Sequence, residues 1–222
     1  MGKIIAGIDE AGRGPVLGPL VMAALAFKEE DIQKLEWLGV KDSKLLSSPA
    51  REELFERIHE IVHDFRIEMI EPDAIDLSVD GGESNLNWLE ADTSARLVSE
   101  LQPDKIIVDC PSVNILSYKN YFLQQLSEGV RSTAELIVEH KADVNHIVVS
   151  AASIVAKVIR DRQINRIKLE IGCDFGSGYM SDKKTQEFLK KNYNEFSHLF
   201  RKSWQSYKNA EEEKLQSKLG EF

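Results

Sequence analysis

The nonapeptide Gly7-Ile8-Asp9-Glu10-Ala11-Gly12-Arg13-Gly14-Pro15 constrains this chain more than any other stretch. The run before it, Ile4-Ile5-Ala6, is short and apolar, the signature of a buried strand. Two acids then stand side by side, and neighbours on an extended strand face opposite ways. For Asp9 and Glu10 to reach one point, one must lie in the pleat and the other at the turn. Gly12-Arg13-Gly14-Pro15 lets the backbone come close to a ligand, because glycine has no Cβ. A strand ending in acids and entering a glycine loop with a cation suits a metal beside a phosphate. An isolated Asp-Glu pair would more simply be a solvated turn.

Two further acids fall in comparable places. Asp109 closes the run Lys105-Ile106-Ile107-Val108, and Asp143 follows the apolar run 134–140 within three residues. In an α/β sheet the carboxyl ends of parallel strands border the functional crevice. Four carboxylates brought together raise one another's pKa values unless a cation neutralises them. Ligands that are all oxygen select hard ions, Mg²⁺ or Mn²⁺. Two such ions, roughly 4 Å apart, form the clamp used for phosphoryl displacement.

The bulk numbers fit this reading. A chain of 222 residues supports one sizeable core, or a core with a small appendage. A net charge of −9 argues against a basic nucleic-acid coat but leaves room for a local basic patch. Cys110 and Cys173 match no zinc spacing and make no disulfide framework. No run is long enough to cross a membrane and no signal pattern opens the chain, so a cytoplasmic setting is expected.

Periodicity predicts a second strand over 17–27, hairpinned onto the first, and further strands over 65–70, 105–109 and 134–140. Helices are expected over 29–37, from Ser48 (as N-cap) with Pro49 first, and over 72–77, 85–101, 114–126, 146–170 and 182–193. A charged last helix carries Leu215 and Leu219 as anchors. Early antiparallel strands followed by strand-helix alternation give an α/β sheet with helices on its faces. His59 and His63 read as surface residues and His140 as a core histidine. His146 is a candidate proton shuttle, and Asn145 a candidate cap for the long helix. Phe200 and Trp204 read as packing anchors, with Arg201 and Lys202 as phosphate contacts.

Taken together, several motifs resemble type 2 ribonuclease H (ribonuclease HII), in that family's order and over nearly the whole chain. They are Asp9-Glu10-Ala11-Gly12-Arg13-Gly14-Pro15, Asp42-Ser43-Lys44, Asp109-Cys110-Pro111, Lys141-Ala142-Asp143, Ser150 to Lys157, and Gly176-Ser177-Gly178-Tyr179. Phe175 before the last motif, and Arg201-Lys202-Ser203-Trp204, look like the archaeal branch.

The resemblance implies a ribonuclease H-like fold: a mixed five-stranded sheet flanked by helices, with a C-terminal helical appendage. The division would be a catalytic domain over 1–175 and a helical subdomain over 176–222. Asp9, Glu10, Asp109 and Asp143 match the family's metal-binding catalytic acids, expected to hold two Mg²⁺ or Mn²⁺ ions. Gly12, Arg13 and Gly14 match the loop that senses the ribose 2′-hydroxyl, the group that tells RNA from DNA. Tyr179 matches the tyrosine that stacks on the following sugar, and Lys44 a phosphate-contacting lysine.

The implied reaction is hydrolysis 5′ to a ribonucleotide, in an RNA–DNA hybrid or at a single ribonucleotide in duplex DNA. It leaves 3′-hydroxyl and 5′-phosphate ends. The implied partners are those nucleic acids, with a monomeric enzyme, no membrane, and a polymerase sliding clamp as an open question. Two departures from the family stand out. Met180 follows Tyr179 where proline is usual, and Val144-Asn145-His146 follows Asp143 where an aromatic and a proline are commoner. Type 3 ribonuclease H, which usually carries an extra N-terminal domain, is the nearest rival. A hybrid-binding protein without catalysis is a rival from another class, and the presence of all four acids speaks against it.

Overall fold

The computed structural model describes residues 2–40, 46–82 and 84–219. Among them, five strands form one sheet. They are β1 (Ile4–Ala11), β2 (Leu20–Lys28), β3 (Asp64–Ile70), β4 (Lys105–Asp109) and β5 (Glu135–Glu139), in the order β3-β2-β1-β4-β5. β1 runs antiparallel to β2 and parallel to β4, and β4 runs parallel to β5. The sheet is therefore mixed, as the sequence led one to expect. β1 and β2 are almost continuously buried, which explains their unbroken apolar and small-residue composition: a strand covered on both faces cannot alternate.

The helices are α1 (Ile32–Trp37), α2 (Ser48–Ile61), α3 (Pro72–Asp80), α4 (Leu86–Leu101), α5 (Ile115–Gln125), α6 (Glu128–Thr133), α7 (Ala142–Asn145), α8 (Ile147–Ile171), α9 (Lys183–Asn192) and α10 (Gln205–Leu219). Several begin where their capping chemistry requires. Ser47, not Ser48, caps α2 by accepting from the Ala50 N–H, and Pro49 then occupies the second helical position. Asn114 caps α5 through the Ser117 N–H at 3.0 Å, and Asp182 caps α9 through the Lys184 N–H at 3.0 Å.

The chain divides into two units. The first comprises Met1–Ala11, Val21–Met69 and Asn87–Ile159, and holds nearly all of the sheet. Its core sets Ile5, Leu25, Phe27 and Ile107 against Leu35 of α1, Leu54 and Ile58 of α2, and Ala151, Ile154 and Val155 of α8. Gly7 allows that approach. A Cβ there would lie 2.3 Å from the carbonyl carbon and oxygen of Val148, so only hydrogen fits.

The second unit joins Gly12–Leu20 and Ile70–Leu86 to Arg160–Phe222. Its own core gathers Val16, Leu17, Ile164, Phe175, Phe188, Phe200 and Tyr207. Each fully buried phenylalanine contributes roughly 1.5–3 kcal/mol of transfer free energy, so this aromatic cluster is what orders the segment. Leu17 bridges to Phe200, and the Gly18 N–H donates to Leu199 O at 3.0 Å.

Some expectations change. β1 does not turn at the acids but carries them in extended backbone and runs on to Ala11, paired throughout with β2. β2 starts at Leu20, since 17–19 belong to the glycine loop's own packing. Asn145 lies inside α7 and gives its amide to Glu139 Oε1 at 2.9 Å, so it serves β5 and not the start of α8. His140 is exposed, with Nδ1 3.1 Å from Cys110 O, so it is no core histidine. His59 and His63 are exposed as read. Lys44, its neighbours Asp42 and Ser43, and the side chains of Leu215 and Leu219 lie outside what the structure describes.

Candidate active site

The acids belong to the sheet unit. Asp9 sits near the end of β1, only 6% exposed, and its Oδ1 accepts the Glu10 N–H at 2.8 Å. The β1–β4 register pairs Ile8 with Val108, and one step further along brings Asp9 level with Asp109. Burial pushes the Asp9 carboxyl up to about 6, and the neighbouring Asp109 charge adds to the rise. Opposing this are a hydrogen bond from Ser153, the Glu10 N–H, and the charge of Lys157. Lys157 in turn donates to Ser153 Oγ at 2.6 Å, so one turn of α8 delivers a hydroxyl and a cation towards Asp9.

Asp109 Oδ1 accepts the Ala142 N–H at 2.8 Å. That bond ties the end of β4 to the first turn of α7, where Asp143 follows, 4% exposed. The backbone reaches this turn through Lys141 at φ 61°, a left-handed conformation that a non-glycine residue rarely adopts. His146 Nε2 lies 3.0 Å from Glu139 Oε1, which ties its ring to β5.

Glu10 is different. Because β1 stays extended through Ala11, Glu10 projects to the opposite face from Asp9. Its charge, like those of Asp109 and the buried Glu90 of α4, is felt at the Cys110 thiol. Burial first, and those three charges after it, hold that thiol above its ordinary pKa. Asp9, Asp109 and the α7 turn are thus brought together, while Glu10 approaches from the other side of the strand. Among the described residues no three His, Cys, Asp or Glu side chains stand close enough to hold one metal ion. The chemistry of the donor set nevertheless fits a hard cation. Its oxygens are carboxylates, and burial with the Asp109 charge disfavours the ionised form of Asp9, a cost that a cation would offset.

Gly12, Arg13, Gly14 and Tyr179 lie in the second unit. Gly12 has φ +84°, and a Cβ on it would sit 2.7 Å from Pro19 O, so glycine is required on two counts. Arg13 is half-buried and Gly14 exposed. Tyr179 is 37% exposed, beside Met180. Asp182 Oδ2 accepts the Ser177 N–H at 2.8 Å, and the fully buried Thr185 hydroxyl bridges Gly178 N and Phe175 O at 3.0 and 2.9 Å.

Two arginines carry more of this unit than sequence reasoning gave them. Arg160, 6% exposed, donates to Ser177 O at 2.5 Å and lies under the Tyr179 ring, 5.2 Å from its centroid. Arg201 is not a surface phosphate contact: it is 0% exposed and bonded to loop carbonyls. Its motif, Arg-Lys-Ser-Trp with aromatics on both sides, was the available signal. A basic pair near a chain end nevertheless reads as solvated by default.

Comparison with known proteins agrees with this geometry. Residues 6–207 match the family model for ribonuclease HII. The chain is 44% identical to a ribonuclease HII of Methanococcus maripaludis strain C6, over 98% of this chain and 91% of that protein. It superposes on the crystal structure of the ribonuclease H2 from Pyrococcus horikoshii OT3 with a TM-score of 0.84 and 38% identity, covering 95% and 98% of the two chains. It also superposes on the ribonuclease of a PCNA:RNase HII complex from Archaeoglobus fulgidus, with a TM-score of 0.80 and 37% identity, covering 92% and 95%. With a match this long, and with strand-end acids in a mixed five-stranded sheet, the chain belongs to the ribonuclease HII family of nucleases.

Proposed function

We propose that this nuclease hydrolyses the phosphodiester on the 5′ side of a ribonucleotide. Its substrates are RNA–DNA hybrids and duplex DNA with a single embedded ribonucleotide, and the products carry 3′-hydroxyl and 5′-phosphate ends. The observation that supports this is geometric: Asp9 and Asp109 stand level on adjacent parallel strands, and Asp109 Oδ1 accepts the Ala142 N–H at 2.8 Å, beside the turn that bears Asp143. A site that raises the pKa of its own acid favours a positive partner, and a hard divalent cation suits carboxylate ligands.

Asp9, Glu10, Asp109 and Asp143 would hold two Mg²⁺ or Mn²⁺ ions. When bound, such ions lower the pKa of an attacking water and stabilise a leaving oxygen. The chain's own residues do the rest. The Ala142 N–H fixes one Asp109 oxygen, and Ser153 with Lys157 keeps Asp9 oriented and favours its charged form. Gly12, Arg13 and Gly14 read the 2′-hydroxyl, the group that separates ribose from deoxyribose. Tyr179 stacks on the adjoining sugar and Lys44 meets a phosphate. The enzyme acts as a monomer, and the relationship to the Archaeoglobus protein makes a sliding clamp a candidate partner.

The test is a DNA duplex holding one ribonucleotide, incubated with Mg²⁺ or with EDTA. A single nick 5′ to the ribonucleotide is expected with the metal and none with the chelator. Asp109→Asn should abolish the nick while the thermal midpoint stays within a few degrees. Cutting of an all-DNA duplex at the same rate would overturn the proposal.

A further inference from the structure

We infer that Arg201 and Trp204 are positioning residues that hold the Gly12-Arg13-Gly14 loop by its carbonyl oxygens. This rests on the reading of that loop as the ribose sensor.

Arginine is seldom fully buried, and burying a guanidinium is costly unless its N–H groups are bonded. Arg201 is completely buried. Its Nη2 donates to Gly12 O at 2.5 Å and to Gly18 O at 2.9 Å, its Nη1 to Arg13 O at 2.8 Å, and its Nε to Gly18 O at 3.1 Å. The rigid fork of a guanidinium can reach several carbonyls at once, which the point charge of a lysine cannot. The third loop carbonyl goes to a neighbour in the same segment: Trp204 Nε1 donates to Gly14 O at 3.2 Å. The Trp204 ring also lies 5.0 Å from the Arg201 guanidinium carbon.

The two residues therefore act as one brace on three consecutive carbonyls. The brace is itself anchored. Arg201 N donates to Val16 O at 2.8 Å, and Asp76 accepts the backbone N–H groups of Lys202 and Ser203 at 2.8 and 2.9 Å. With its carbonyls turned to the brace, the loop would meet a ligand through its amide edge. A peptide edge that must recognise one hydroxyl has to be held to a fraction of an ångström, which a glycine-rich loop cannot do alone.

The experiment uses the full chain as wild type, Arg201→Lys and Trp204→Phe. Trp204→Phe keeps an aromatic ring while removing the indole donor and one fused ring, so it tests the brace even where Arg201→Lys fails to fold. Hydrogen exchange is followed on peptides covering 12–18 and, as a control, 4–11. The kinetic constants are measured on the one-ribonucleotide duplex with Mg²⁺. The brace requires loop exchange to quicken about tenfold with the control unchanged. It also requires KM to rise about tenfold with kcat within twofold. Unchanged loop exchange, or a fall in kcat at constant KM of the kind a smaller folded fraction produces, overturns it. A wild type that fails to cut the duplex removes the ribose-sensor reading instead, and the exchange arm still decides whether the brace exists.

Discussion

Arg160 and Tyr179 are stacked, the guanidinium carbon 5.2 Å from the centre of the phenol ring. Burial holds the Arg160 pKa below its ordinary value, and its Nε is buried without a hydrogen-bond partner among the described residues. Arg160→Met keeps most of the side-chain volume and removes both the cation and the buried Nε–H. Losing the bond to Ser177 O should lower stability by about 1–2 kcal/mol. The stack under Tyr179 should weaken by about 1 kcal/mol, a rise in KM of roughly fivefold. Steady-state kinetics beside a thermal melt check this, and a large fall in stability with unchanged KM would contradict it.

The Asp9 carboxyl predicts a pH dependence in metal-free protein. Its folded-state pKa is raised from 3.8 to about 6, so the folded chain holds that proton more tightly than the unfolded chain does. The group's stabilising effect is complete below the lower value and is lost as pH climbs through the upper one. About 2 units correspond to roughly 3 kcal/mol as an upper figure. Urea titrations in EDTA at pH 4.5 and 7.5 should show wild type losing stability relative to Asp9→Asn across that interval. Mn²⁺ added at the higher pH should return part of the loss to wild type and not to the variant.

Gly7→Ala introduces a methyl group 2.3 Å from the backbone of Val148. Neither partner is a flexible side-chain tip, so strand and helix must separate. A loss of about 3 kcal/mol is expected from this overpacking, read by chemical denaturation. A variant as stable as wild type would show that α8 slides to make room.

Gly14→Ala is the opposite case. A Cβ there meets only Tyr179 Cε1 at 3.7 Å, an ordinary contact, and the backbone is not left-handed. Folding should be preserved to within about 0.5 kcal/mol. Preference for a ribonucleotide over a deoxyribonucleotide at the cleaved position should fall, as measured by competition between labelled duplexes. Equal preference to wild type would remove Gly14 from the sensing loop.

What the sequence disclosed and what it withheld divide along physical lines. Strand-end acids are local signals, since each follows its own apolar run, and the sheet's parallel core collected Asp9 and Asp109 as those runs suggested. The reach of β1 was harder to see. Asp9 looks like a strand terminator, yet it is tolerated in a buried strand because α8 supplies Ser153 and Lys157. Helix α6, only six residues with Gly129 inside it, has no apolar stripe long enough to register. Arg201 was misread because its partners are 183 to 189 residues away, where no periodicity can announce them. The start of α9 needed only neighbouring residues, and the helix expected over 182–193 forms at Lys183–Asn192 with Asp182 as its cap.

The constant offset between β1 and β4 has a consequence for how this chain can vary. Every rung from Ile5–Lys105 to Ile8–Val108 advances both strands together, so Asp9 and Asp109 share the next one. Inserting or deleting a single residue in either strand would flip one acid through the sheet to its far side. Loops elsewhere can lengthen freely, but the four steps from Ile5 to Asp9, and from Lys105 to Asp109, are fixed in number.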